Sequence, residues 1–294
     1  MIEMLQYDFM RIALVMAVLI GLTAPAVGTF IVQRRLSLLG DGIGHIALTG
    51  IGIGLLTSTS PVLGALVVSV LGAVAIEVLR ARSRSGADVA LALLFYGGLA
   101  GGVLLTNAQG GGTSLQSYLF GSISSVSIGD LYVVAGLAVV VLGIVALFGR
   151  ELFLLCQDEE VARAAGLPVR FLSVLIAVTA AVTVVIAMRA IGLLLVSALM
   201  IVPVAAAQQL TRGFRSTMLL AMAVGVLSAV SGLAGSFQYD LPPGPSIVLL
   251  ALVLFVAAVA GGTLVRRRRA RAMAGGRIPA VRPGVDAEAE VLRG

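Results

Sequence analysis

Among its 294 residues the chain offers 14 acidic side chains, one histidine and one cysteine, so the groups able to bind a cation or move a proton are few and their positions carry most of the information. Two of them fall within an apolar stretch at helical spacing. In Gly40-Asp41-Gly42-Ile43-Gly44-His45-Ile46-Ala47-Leu48, a helix would stack the Asp41 carboxylate and the His45 imidazole one turn apart on the same face. A carboxylate oxygen and a neutral imidazole nitrogen suit a divalent cation of the zinc, manganese or iron type. The same spacing suits a proton relay, or a hydrogen bond that merely orients the ring. As a metal site the pair is incomplete. Further ligands must come from another helix, from water or from a second copy of the chain, whose own Asp41 and His45 would complete a set of four.

Four more carboxylates, Glu77, Asp88, Asp130 and Asp240, stand near the expected ends of apolar runs. A carboxylate there ordinarily faces water; as part of a pathway it would draw cations toward the opening. Asp240 lies in Tyr239-Asp240-Leu241-Pro242-Pro243-Gly244-Pro245, a rigid turn that either offers a docking point to a delivering partner or is simply a turn. Between Arg150 and Arg170, the order Asp158, Glu159, Glu160, then alanines including Ala164, then Gly166 and Pro168 predicts a short capped helix, which is either a docking element or an inert connector. All 20 basic residues are arginine. Without lysine no G-x-x-x-x-G-K-[ST] phosphate loop can exist, so energy from ATP would need a separate subunit. Neither a nucleophile–base set nor an HExxH-like motif is present, and no enzyme is expected. Cys156 has no partner for an intrachain disulfide.

The elements that must position these groups follow from composition. With 59% hydrophobic residues, 12% charged residues and a mean hydropathy of +1.10, the chain is far from the roughly 45–50% apolar, about 25% charged make-up of soluble domains. Its apolar runs are of the length, about 20 residues, that a helix needs to cross a bilayer, and they lack the alternation of membrane barrel strands. We therefore expect an all-α, polytopic helical bundle with crossings near 9–32, 40–57, 61–80, 88–106, 127–149, 170–188, 191–210, 216–235 and 245–265. Nine crossings put the termini on opposite sides. Placing the N terminus outside and the C terminus in the cytoplasm gathers 18 of the 20 arginines on the inner side, leaving Arg11 and Arg189, as the positive-inside rule requires. Glu77 and Asp88 then lie inside, Asp130 and Asp240 outside. The high pI of about 10.4 thus reports membrane topology, not nucleic-acid binding. The first run is read as a helix and not as a cleaved signal, because Glu3 and Asp8 precede it and Arg34-Arg35 follow it. Residues 1–265 form the expected membrane domain, and 266–294 a disordered, Arg-rich cytoplasmic tail. Pro25 and Pro203 are expected to kink or break their helices, and Gly97-Gly98-Leu99-Ala100-Gly101-Gly102 to let helix backbones touch, within one chain or across a dimer.

Several blocks together carry a resemblance: Arg34-Arg35-Leu36-Ser37-Leu38-Leu39-Gly40-Asp41 leading into His45; Ala190-Ile191-Gly192-Leu193-Leu194-Leu195-Val196-Ser197-Ala198-Leu199-Met200-Ile201-Val202-Pro203; and Asp240-Leu241-Pro242-Pro243-Gly244-Pro245. Over about residues 10–265 the chain resembles the permease subunits of bacterial ABC transporters for zinc, manganese or iron, the ABC-3 group. The resemblance implies a homodimer in the plasma membrane, fed by an extracytoplasmic metal-binding protein and powered by cytoplasmic ATPase subunits. It implies no permanently bound cofactor, only a transported divalent metal ion in contact with Asp41 and His45. It makes Asp158, Glu159, Glu160, Ala164 and Gly166 part of a coupling helix that inserts into the ATPase. The tail after 265 is longer than many members carry. A proton- or sodium-coupled secondary cation transporter is the alternative that an Asp–His pair also fits, but such a carrier has no need of an ATPase dock. A permease for cobalamin or iron chelates would not depend on Asp41 and His45.

Overall fold

An apolar run in hydrocarbon has no water to satisfy its amides, so every backbone group must be paired within the segment, and the helix is the structure that does this locally. The computed structural model describes residues 6–82, 87–108, 118–121, 127–188 and 191–275, and there the runs are helices: α1 Asp8–Gln33, α2 Leu39–Leu56, α3 Pro61–Arg82, α4 Ala87–Asn107, α5 Ile128–Gln157, α6 Glu159–Ala164, α7 Val169–Met188, α8 Leu193–Leu210, α9 Phe214–Tyr239 and α10 Pro243–Gly275. No strand occurs among the described residues. Seven of these helices, α1, α2, α3, α5, α7, α9 and α10, are long and apolar enough to cross a membrane, while α4 and α8 carry the shorter apolar stretches Leu91–Asn107 and Leu195–Leu210.

The helices sort into a centre and a periphery. In α1, α2 and α7, 72% of the apolar window is buried in the protein, against 22% in α5 and α10, whose remaining apolar side chains face outward. Helix α2 packs on α3, α4, α7 and α8, and α1 on α5, α7, α8 and α9. In lipid there is little hydrophobic drive for this, because the tails are as apolar as leucine; close backbone approach and dispersion supply it instead. Two contacts show the requirement. A Cβ on Gly98 of α4 would stand 2.7 Å from the Ile46 nitrogen and 2.9 Å from the His45 carbonyl carbon of α2. A Cβ on Gly28 of α1 would collide with the Met200 carbonyl of α8. The glycine pair Gly98 and Gly102 therefore faces α2 of the same chain, whereas Gly97 has nothing within 4 Å of where its Cβ would be.

Two boundaries differ from the sequence expectation. Helix α5 runs past Arg150 and Glu151 to Gln157, because Leu152 and Leu155 are buried and continue its inner face. Helix α10 runs ten residues beyond the expected border at 265, to Gly275; the rest of the expected tail lies outside the described residues. Pro25 and Pro203 lie inside α1 and α8, and neither helix is broken.

The ends of the bundle differ in character. At one, here the arginine end, the end of α1, the end of α3, α6 and the start of α7 converge. At the other, the starts of α3 and α5 meet the end of α7 around Ser60, Asp130 and Ile186.

Candidate functional site

Helix α2 begins at the arginine end, after a tight link in which Arg35 takes the left-handed conformation (φ 57°) and the Leu36 amide donates to the Ile31 carbonyl at 2.9 Å. Asp41 stands in the first turn of α2, where the positive end of the helix dipole favours a carboxylate. His45 follows one turn deeper, about 9 Å along the axis from the helix start at 1.5 Å per residue. The structure brings the two together: His45 Nε2 lies 3.9 Å from Asp41 Oδ1. That is too long for a hydrogen bond, and the separation leaves the facing lone pairs unused. The His45 side chain is 10% exposed and that of Asp41 36%, so the pair is open on the carboxylate side only. The other ring nitrogen, Nδ1, is buried and has no hydrogen-bond partner among the described residues. Phe95 of α4 packs edge-on against the imidazole with centroids 4.1 Å apart, a contact that restricts ring rotation and that no sequence pattern announced. Gly40 and Gly44 bring α2 close to Ser197 and Leu193 of α8. An imidazole with neither nitrogen hydrogen-bonded among the described residues, one turn from a half-open carboxylate, has the chemistry to accept a ligand from outside the chain. Among the described residues no three His, Cys, Asp or Glu side chains cluster as a metal-holding group.

A second constellation sits beside the link into α2. Arg34, the residue after α1, has a side chain only 6% exposed. Its Nη1 donates to Ser173 Oγ of α7 at 2.9 Å and its Nη2 to Glu159 Oε2 of α6 at 3.5 Å. Burial pushes the guanidinium below its usual range and Arg80 adds to the effect, against the pull of Glu77, Cys156 and Glu159. Arg163 donates to the other Glu159 oxygen at 3.0 Å. A cavity of about 370 Å³, lined by Glu77, Arg80, Glu159, Arg163, Arg170 and Ser173, opens next to these bonds.

Helix α6 is short but well terminated. The Asp158 carboxylate accepts from the Glu160 amide at 2.8 Å and the Val161 amide at 3.2 Å. After Ala164, the left-handed Gly166 (φ 78°) donates to Arg163 and Leu167 to Ala162, a Schellman closure. Ala162 is buried and anchors the turn, while Val161 is half exposed. The expected capped helix is thus present, with Asp158 as its cap, Glu159 as its tie to Arg34, and Glu160 and Ala164 within it.

The remaining carboxylates are not at the Asp41–His45 pair. Glu77 is buried and bonded to Arg80 at 3.3 Å in the Arg34 cluster. Asp130 forms a capping box with Ser127 at the far end of α5. Asp240 is the left-handed residue that ends α9 (φ 52°). Asp88 falls in the first turn of α4, and its side chain lies outside the described residues.

Comparison with known proteins places this arrangement among relatives. The pattern of the ABC 3 transport family matches residues 6–262. The manganese transport system membrane protein MntC of Halalkalibacterium halodurans is 37% identical over 257 residues, 87% of this chain and 88% of that one. The manganese import system permease protein ScaB of Streptococcus gordonii is 31% identical over 250 residues, 85% and 90% of the two chains. In the solved structure of PsaBC from Streptococcus pneumoniae in complex with Fab, one chain superposes with a TM-score of 0.80 at 31% identity, covering 87% of this chain and 93% of that one.

Proposed function

Because the chain belongs to the ABC 3 transport family, we propose that it is the permease of an ATP-driven importer that carries a divalent transition metal ion, manganese ahead of zinc or iron, across the cytoplasmic membrane. The observation that carries this reading is the Asp41–His45 pair: two ligand types one turn apart, separated by 3.9 Å, with a buried ring nitrogen left unpartnered. One carboxylate and one imidazole favour manganese or iron over an imidazole-rich zinc cage. The names of the relatives, manganese systems in both cases, point the same way.

In this reading two copies of the chain meet so that each contributes Asp41 and His45, and nine crossings leave the N terminus outside and the arginine end in the cytoplasm. Two ligands per chain hold the ion loosely, which transport needs, since a closed cage would trap it. Helix α6 docks on a cytoplasmic ATPase subunit through Val161 and its acidic face. Movement of α6 reaches the metal through Glu159 and Arg34, because Arg34 opens the short link into α2 and Asp41 lies seven residues further on. A metal-binding protein on the outer side delivers the ion.

The test is uptake of manganese, zinc and iron in competition by cells carrying this chain with ATPase and binding-protein partners. Manganese uptake that needs ATP and disappears in Asp41→Ala and His45→Ala, with the complex still assembled, is the expected result. Uptake that survives both substitutions refutes the site, and uptake indifferent to ATP refutes the importer in favour of a secondary carrier.

A further inference from the structure

We propose that the cavity between α1, α5 and α9 at the arginine end is a binding site for an anionic phospholipid of the surrounding bilayer. The proposal stands apart from the transport reading and needs only the membrane. The cavity has a volume of about 940 Å³. Its floor is aromatic: Phe214 of α9 packs on Phe30 of α1 with centroids 5.3 Å apart and on Phe153 of α5 at 4.6 Å. Among the described residues its lining includes two cations, Arg150 and Arg215, and no carboxylate. Neither arginine has an ion-pair partner among the described residues. Helix α9 starts at the same cavity with no side chain capping its first turn, so the positive end of its dipole adds to the two guanidiniums.

The flanks decide what covers this groove. Leu147 of α5 and Leu219 of α9 are 74% and 63% exposed, as are Val139 and Val140 further along α5 at 69% and 53%. Outside any contact with a second copy, such an apolar face in a membrane-spanning chain is covered by lipid, and the groove, lined by the exposed Leu219, opens onto it. An occupant with a long apolar body and a singly negative head matches an apolar cleft that ends in unpaired guanidiniums, and basic pockets between helices near a membrane surface hold anionic headgroups in this way. Phosphate oxygens would accept from Arg150 and Arg215 while one acyl chain lies over the phenylalanine floor.

The experiment uses the full chain, stripped of lipid in detergent and re-exposed to mixed micelles of phosphatidylglycerol and phosphatidylethanolamine, with bound lipid read by native mass spectrometry. The expected result is a preference for phosphatidylglycerol of about tenfold or more. It is lost in the double variant R150Q/R215Q and kept in Arg35→Gln, an arginine at the same end but outside the groove. Gly149 lines the groove and has open space where its Cβ would stand, so Gly149→Trp fills the cleft without a backbone clash and is expected to lower retention while the helical signal is unchanged. Deletion of 276–294, which carries the competing acidic residues Asp286, Glu288 and Glu290, is expected to leave the preference as it was. A preference that persists in R150Q/R215Q, or that Arg35→Gln removes equally, overturns the site. Lipid that enters only after the tail is deleted makes the tail the occupant and overturns it as well.

Discussion

Two polar constellations lie on either side of the short link between α1 and α2, and they are built on opposite rules. The Arg34 cluster is bonded: one buried guanidinium holds a hydroxyl of α7 and a carboxylate of α6. The Asp41–His45 pair is left open, with a 3.9 Å gap and an unpartnered ring nitrogen. A buried polar group without a partner costs about 1–3 kcal/mol, so an open pair persists where a ligand completes it from outside. A bonded arginine instead ties the end of α1 to α6 and α7. On the proposed function, the contrast separates a site that binds and releases from a joint that transmits.

The sharpest way to break the contrast is to change the open pair. Asp41→Asn and His45→Gln keep shape and polarity, and each is expected to lower metal uptake by about 100-fold or more, since even indirect partners of a ligand are worth about 10–100-fold. The Asp41 variant, at a partly exposed side chain, is expected to melt within about 0.5 kcal/mol of the parent in metal-free detergent solution, and the buried His45 variant, which gives up the ring contact with Phe95, within about 1.5 kcal/mol. A large loss of stability would mean that the pair is structural.

The joint is expected to answer in the reverse order. Arg34→Leu removes the tie from α6 to the link before α2 and leaves Glu159, itself half exposed, paired with Arg163 and open to water. We expect uptake to fall by about tenfold while ATP hydrolysis by the assembled complex continues, at a stability cost of about 1–3 kcal/mol. Hydrolysis that falls in step with uptake would show that Arg34 only supports the fold. A double-mutant cycle then compares the regions directly: Arg34 with Glu159 should couple by about 0.5–3 kcal/mol, and Asp41 with His45, without metal, by less than about 0.5 kcal/mol. Equal coupling in the two pairs would erase the distinction.

How much of this was legible beforehand follows from the range of the signals. The helices were, because run length and charge placement are local; the end of α5 was missed because Arg150 and Glu151 look like a membrane border while Leu152 and Leu155 remain buried beyond them. Asp41 and His45 were legible as a pair because four residues make one turn. Their openness was not, since it depends on Phe95 and on α8. Arg34 read as one more positive charge at a membrane edge. Its partners Glu159 and Ser173 are 125 and 139 residues away in the chain, beyond any local pattern, and only packing of α1 against α7 reveals that this arginine is buried.

The smallest expected effect concerns Asp240, which the sequence allowed to be either a turn or a docking point. The residue holds the left-handed conformation that ends α9, and the Leu241 amide donates back to the Ser236 carbonyl at 3.0 Å. Glycine adopts that conformation without the Cβ penalty, so Asp240→Gly keeps the turn while deleting the carboxylate. We expect a stability change within about 1 kcal/mol and unchanged uptake at saturating binding protein. A rise in the concentration of binding protein needed for half-maximal uptake, with the maximal rate intact, would instead identify the carboxylate as a contact with the delivering partner. Because the turn is preserved, that rise could not be assigned to local unfolding, and Asp240 would join neither the open pair nor the joint but a third region, the entry.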